Sequence, residues 1–263
     1  MDLLQHINPL YAVSGLAVGF LVGMTGVGGG SLMTPLLVLV FRIHPATAVG
    51  TDLLYAAATK TVGTGVHGWK RTVQWSIVAR LAIGSVPASA VTLYFLSQQA
   101  KHGASGGALI TVTLAWALIV TAIAILFRTA IVGFFAKRAK PISPGATTAF
   151  TILLGLVLGV LVSLTSVGSG ALGMTVLLIL YPKMEVAKLV GSDVAHAVPL
   201  TLLAGIGHWM MGDVNWQLLV SLLCGSIPGI IGGSLLAART PDGVLRPILA
   251  GTLTLVGVKM LAG

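Results

Sequence analysis

No lysine, arginine, aspartate or glutamate occurs from residue 3 to residue 41. A stretch this long without charge cannot lie on the surface of a soluble domain, where roughly a quarter of the residues are charged. It also exceeds the roughly 20 apolar residues that one helix needs to cross a bilayer. The rest of the chain has the same character: of 263 residues, 56% are hydrophobic and 8% charged. An ordinary soluble protein is excluded. The length allows on the order of eight to ten membrane segments and leaves no room for a separate globular domain. Helices are the default for these segments, because an open sheet edge cannot be satisfied in hydrocarbon.

The uncharged stretch is too broken for one helix, since Thr25-Gly26-Val27-Gly28-Gly29-Gly30 falls in its middle. It splits into segments at about 9–25 and 30–41, either two crossings or a re-entrant hairpin. Further apolar segments follow at about 48–69, 74–97 and 106–127, and then a basic linker, 128–145, with Arg128, Lys137, Arg138 and Lys140. After Pro141 and Pro144 the pattern restarts at about 146–164, breaks at Thr165-Ser166-Val167-Gly168-Ser169-Gly170, and continues at 171–182, 189–211, 216–237 and 244–262. Residues 1–263 thus read as one transmembrane domain, with a first repeat over 7–127 and a second over 146–263.

The net charge of +9 lies in short stretches between apolar runs, which points to topology rather than to nucleic acid. Placing the linker in the cytoplasm puts Lys70, Arg71, Lys183, Lys188, Arg239 and Arg246 there as well. Arg42 and Lys101 fall outside, Lys60, Arg80 and Lys259 lie within segments, and both termini are external. Asp2 and the lack of a basic residue before the first apolar run predict that this run is mature structure rather than a signal peptide. The single cysteine, Cys224, excludes a disulfide within the chain and a multi-cysteine zinc site, and its apolar neighbours predict a packed side chain. Neither a metal nor a cofactor is expected.

The two halves resemble each other in detail. Residues 19–30, GFLVGMTGVGGG, match residues 159–170, GVLVSLTSVGSG, at seven of twelve positions. After one inserted residue, Val49-Gly50-Thr51-Asp52 meets Val190-Gly191-Ser192-Asp193, His67 meets His208, Trp75 meets Trp216, and Gly84-Ser85-Val86-Pro87 meets Gly225-Ser226-Ile227-Pro228. Apolar sequence of low complexity does not hold Asp, His, Trp and Pro in register in this way. Three or five crossings per half would give the second copy the opposite orientation. Inverted repeats with helices broken at matching places are a secondary-transporter architecture, with the substrate near the two breaks. A helix that begins inside the membrane leaves unpaired N–H groups suited to an oxyanion, and glycine lets the backbone approach it closely.

These residues resemble the sulfite exporter TauE/SafE family. The likeness is carried by GFLVGMTGVGGGSLMTPLL followed by HPATAVGTDLL, by SVGSGALGMTVLLILYP followed by VGSDV, and by the Gly-His and Trp pair after each. It covers nearly the whole chain. It implies a multi-pass protein of the bacterial inner membrane, exporting sulfite or a short organosulfonate such as sulfoacetate. The second copy departs from the first by replacing Gly26 and Gly29 with Ser166 and Ser169, so the half-sites need not contribute equally.

The candidate substrate-binding residues are Thr25, Gly28, Gly29, Gly30 and Ser31, mirrored by Thr165, Gly168, Ser169 and Gly170; the competing reading is that the glycines serve close helix packing. Hydroxyls at 25, 31, 165 and 169 can donate to sulfonate oxygens. Lys60 joins the list, because an unpaired intramembrane lysine should face Asp52, a cavity or an anion. Asp52 and Asp193 are candidates for coupling to a proton or sodium ion, or for helix capping. His196 stands where the first half has Tyr55; it, His67 and His208 are coupling or gating candidates, the last two alternatively interfacial. Trp69, Trp75, Trp209 and Trp216 sit at segment ends as headgroup anchors. Two rival functions remain, a passive anion channel and an intramembrane serine hydrolase pairing Ser169 with His196 or His208. Oligomeric state is not written in the sequence, and a homodimer joined through exposed segments stays open.

Overall fold

The computed structural model describes residues 8–25, 30–69, 71–101, 107–138, 143–236 and most of 250–260. They form ten helices: α1 (Pro9–Thr25), α2 (Gly30–Leu39), α3 (Pro45–Trp69), α4 (Trp75–Lys101), α5 (Gly107–Leu126), α6 (Arg128–Arg138), α7 (Pro144–Thr165), α8 (Leu172–Leu180), α9 (Val186–Met210) and α10 (Trp216–Leu236). A further helical run lies within 250–260, and no strand occurs among the described residues. Proline at the first position of α1, α3 and α7 presets φ where no helical N–H bond is needed. Ser143 caps α7 by accepting the N–H of Ala146 at 3.3 Å.

Stretches within α4, α5, α7 and α9 are each long and apolar enough to cross a membrane. The protein is an all-α, multi-pass membrane protein. Its outward faces carry Phe95, Trp116, Leu156, Leu202 and Ile231, while Leu53, Leu158, Leu177, Leu189 and Leu200 fill the interior. Cys224 points outward instead of packing. Apolar neighbours do not mark burial on a helix whose outer face meets lipid.

Residue contacts fix the helix directions. Gly155 of α7 meets Leu81 of α4, and Gly159 meets Ser85, so these helices run parallel. Gly15 of α1 meets Leu222 of α10, and Gly19 meets Ser226, which makes that pair parallel too. At the centre, Gly205 meets Leu54 and Gly63 meets Val194, so α3 and α9 are antiparallel. The same contacts occur twice with the halves exchanged: Gly84 lies on Ile152 and Gly225 on Ala12. Likewise Asn215 N–H donates to Thr51 at 3.1 Å, and Gln74 N–H donates to Ser192 at 2.9 Å.

Nine residues of α8 extend about 14 Å, half the hydrocarbon thickness. Tyr181, just past its end, hydrogen bonds Thr151 near the start of α7 at 2.8 Å. α8 therefore folds back along α7 as a hairpin. The linker is more ordered than a loop, since α6 occupies Arg128–Arg138.

Candidate functional site

The second break brings the interior polar groups together. α7 ends at Thr165, and Ser166 adopts a left-handed conformation (φ 58°) with its N–H returned to Val162. Thr165 faces inward on itself: its hydroxyl donates to the Leu161 carbonyl at 2.6 Å and accepts the Val167 N–H at 3.1 Å. Gly168 has φ 123°, a backbone setting that glycine tolerates and side-chain-bearing residues rarely adopt. Its carbonyl takes the N–H groups of Leu172 and Gly173, both at 3.1 Å. The N–H groups of Gly168, Ser169, Gly170 and Ala171 find no acceptor among the described residues. N–H groups left without an acceptor at a helix start favour an anion.

Lys60 reaches into this break. It is buried in α3, and its ammonium donates to Ser169 Oγ at 2.7 Å. It also attracts two buried carboxylates, Asp193 more strongly than Asp52. Asp52 lies about two turns inside α3 and Asp193 about two turns inside α9. Both helices start three residues earlier than their apolar segments do, so neither acid is in a first turn and the capping reading of these acids fails. Because α3 and α9 are antiparallel, the two acids enter the interior from opposite ends of the bundle.

The acids differ in their company. Asp52 Oδ2 accepts the Thr34 hydroxyl at 2.5 Å, and Ser166 is a second hydroxyl beside it. Asp193 is attracted by Lys60 and, more weakly, by Arg128. The equivalent of Thr34 is Thr175, which donates to the Ala171 carbonyl at 2.8 Å instead. A methyl group placed on Gly173 would crowd Asp193 Oδ1 at 2.8 Å.

The histidines do not join this cluster through hydrogen bonds. His196 Nε2 pairs with Ser85 at 2.8 Å, and its counterpart Tyr55 pairs with Ser226 at 2.5 Å, so Tyr and His do the same task in the two halves. His208 is fully buried rather than interfacial: Nε2 meets the Ser163 carbonyl at 2.9 Å, and Nδ1 faces Asp213 at 3.4 Å without hydrogen-bond alignment. His67 Nδ1 meets Thr72 Oγ1 at 2.8 Å. Both residues tie down the turn after their helix. The partner of Ser169 is Lys60, and neither His196 nor His208 bonds it. Trp69, Trp75, Trp209 and Trp216 are exposed at helix ends, the last two packed edge to face at 5.7 Å.

In the first break, Thr25 closes α1 while Gly30 and Ser31 open α2; Gly28 and Gly29 lie outside the described residues. Sequence reasoning missed Thr34, Ser85, Ser166 and Ser226 as functional partners. Ser166 carried a signal, as one of two serines replacing glycines of the first copy.

The model of the family described as "Sulfite exporter TauE/SafE" matches residues 11–260. The chain belongs to the sulfite exporter TauE/SafE family. Its relatives include a "Probable membrane transporter protein YjnA" of Bacillus subtilis (strain 168), 38% identical, with 94% of this chain and 97% of the relative covered. A second B. subtilis protein, "Probable membrane transporter protein YdhB", is 27% identical over 93% of this chain and 96% of its own. A "Probable membrane transporter protein" of Xylella fastidiosa (strain 9a5c) is 28% identical over 86% and 83%. No solved structure matches the chain. This TauE/SafE member is a membrane transporter.

Proposed function

We propose that the protein is a secondary transporter that exports a small sulfur oxyanion, sulfite or a short sulfonate such as sulfoacetate, across the bacterial inner membrane. The observation that carries this reading is Lys60, a buried cation set against a backbone loop in which the N–H groups of 168–171 have no acceptor among the described residues. A lysine at the centre of a membrane helix costs about 3 kcal/mol, and a bound anion offsets that cost. The anion sits between the 25–31 and 165–170 breaks, on Lys60, Ser169 and the N–H groups of 168–171, with Thr25 and Ser31 contributing from the first half. The exchanged contacts of α1–α10 and α4–α7 support two inverted repeats, 7–127 and 146–263, that rock about this point.

Export needs little added energy, since an inside-negative potential drives anions outward with roughly 2.3 kcal/mol per charge per 100 mV. Asp52 and Asp193 then serve to couple or gate the cycle. A strain lacking the protein should be sensitive to internally generated sulfite or should retain sulfonate, and the intact gene should reverse this. Unchanged sulfite tolerance and sulfonate content in the deletion strain would contradict the proposal. Uphill accumulation in vesicles under an ion gradient separates the transporter from a passive channel.

A further inference from the structure

Arg80 lies in the second turn of α4, inside a stretch long and apolar enough to cross a membrane. It is half-buried and turned towards the α7–α8 hairpin, where its Nη1 donates to the Tyr181 hydroxyl at 3.2 Å. The chain of bonds beyond it has a fixed direction. Thr151, fully buried, gives its hydroxyl proton to the Thr147 carbonyl at 2.7 Å. The Tyr181 hydroxyl therefore donates to Thr151 Oγ1, at 2.8 Å, and accepts from Arg80. This chain holds one edge of the guanidinium; its other N–H groups have no acceptor among the described residues. No carboxylate pairs with Arg80 among those residues either, and Glu185, in the turn beyond Tyr181, is held by Lys188 at 3.1 Å. An intramembrane arginine without a counter-ion is costly and marks an ion pathway. Helix packing does not call for the cation: in the other half Ser221 stands for Arg80 and donates to the Gln217 carbonyl at 2.7 Å, while Tyr11 stands for Thr151 and packs edge to face on Phe41 at 4.8 Å.

We propose that Arg80, positioned by Tyr181 and Thr151, is a second anion site, which takes the small sulfur oxyanion at the end of the bundle where α4, α7 and α9 begin. This deepens the anion-transporter reading and rests on it for the identity of the anion. A guanidinium presents parallel N–H groups that match two oxygens of a sulfite or sulfonate group. The helix α8 joins this site to the break: its nine residues, about 14 Å, lead from the N–H groups around Ser169 to Tyr181. An anion on Arg80 thus lies one short helix from Lys60. It also lies at the end that charge counting assigns to the cytoplasm, where an exporter is loaded.

Calorimetric titration of sulfite, and separately of sulfoacetate, into the purified protein in a maltoside detergent, which carries no phosphate, reads the site without flux. Expected are two classes of binding site in the wild type. Arg80→Gln, which keeps an N–H donor towards Tyr181 but removes the charge, should lose one class and retain the other. Arg80→Lys should keep that class severalfold weakened, since the charge stays and the fork is lost. Tyr181→Phe, which keeps the ring but releases the guanidinium, should weaken the same class and keeps the test open if Arg80→Gln does not fold. Repeating the titration in nanodiscs of phosphatidylglycerol separates a free anion from a lipid phosphate, and binding at Arg80 should persist there. The inference is overturned if no class of site is lost in Arg80→Gln, if Tyr181→Phe binds as the wild type does, or if phosphatidylglycerol displaces the anion from this class. Flux in vesicles, measured in parallel, keeps the two readings apart. A class lost in Arg80→Gln beside absent flux would remove the transport reading and leave the site; intact flux beside unchanged binding would remove only the site.

Discussion

At the scale of single residues, the asymmetry between the halves decides how the site works. Lys60 has Thr201 as its counterpart and Ser169 has Gly29, so one charged contact crosses the molecule where two-fold symmetry would allow two. Lys60→Met should lower anion binding to the purified protein more than tenfold. Ser169→Gly, which restores the first-half residue and leaves the backbone donors in place, should cost about 1 kcal/mol, or severalfold in affinity. Equal losses in both variants, read by calorimetry, would mean that the charge of Lys60 is not what holds the anion. Lys60 and the two acids were legible in the sequence, because an ionisable group inside an apolar segment stands out. Thr34, Ser85 and Ser226 were not, since a lone hydroxyl in an apolar helix carries no signal of what it faces. The Tyr55–Ser226 and Ser85–His196 pairs show that His196 replaces Tyr55 in identity but keeps its contact.

At the scale of elements, glycines let the paired helices touch backbone to backbone. A side chain at Gly15 would collide with the Leu222 carbonyl, and one at Gly155 with that of Leu81. Gly155→Leu and Gly15→Leu should each destabilise the folded protein by about 1–3 kcal/mol, as overpacking does. Gly65, with nothing within 4 Å of where its Cβ would stand, should gain about 0.5–1 kcal/mol as Gly65→Ala from lower backbone entropy. Thermal unfolding in one detergent checks both, and equal effects at buried and open positions would contradict the close-packing account. The packing reading of the glycines thus holds for the helix pairs, while Gly168, at φ 123°, meets only side chains at 3.7 Å. Gly29→Val, at the first break, should abolish transport without loss of folded protein, measured as flux against monodisperse yield. Segment positions were legible to within a few residues from the apolar runs. The early helix starts were not, because His44-Pro45-Ala46-Thr47 reads as a loop until proline is placed at the first helical position.

At the scale of the whole molecule, the helix directions place the 71–74 turn, the start of α7 and the start of α9 at one end of the bundle. Arg71, Lys183 and Lys188 therefore gather at the end from which α7 departs, which is the segregation that charge counting assigns to the cytoplasm. With Cys224 replaced, cysteines introduced in the 128–140 linker should react only from inside and those at 98–105 only from outside. Reaction of both from one side would break the topology. The repeat made this arrangement readable in outline, since matched Asp, His, Trp and Pro cannot persist by chance. The choice between hairpin and double crossing was not readable, because either gives the same parity; what bears on it in the second half is that α8 has only nine residues, about half the hydrocarbon thickness. If the proposed function holds, this architecture binds and moves a small sulfur oxyanion. Its most direct test is binding and flux with purified, reconstituted protein across sulfite, sulfoacetate, taurine, sulfate and an amino acid. Expected are saturable binding and flux for sulfite or sulfoacetate, lost in Lys60→Met, with the amino acid inert. An equal response to every compound, or a response to cations alone, would contradict it.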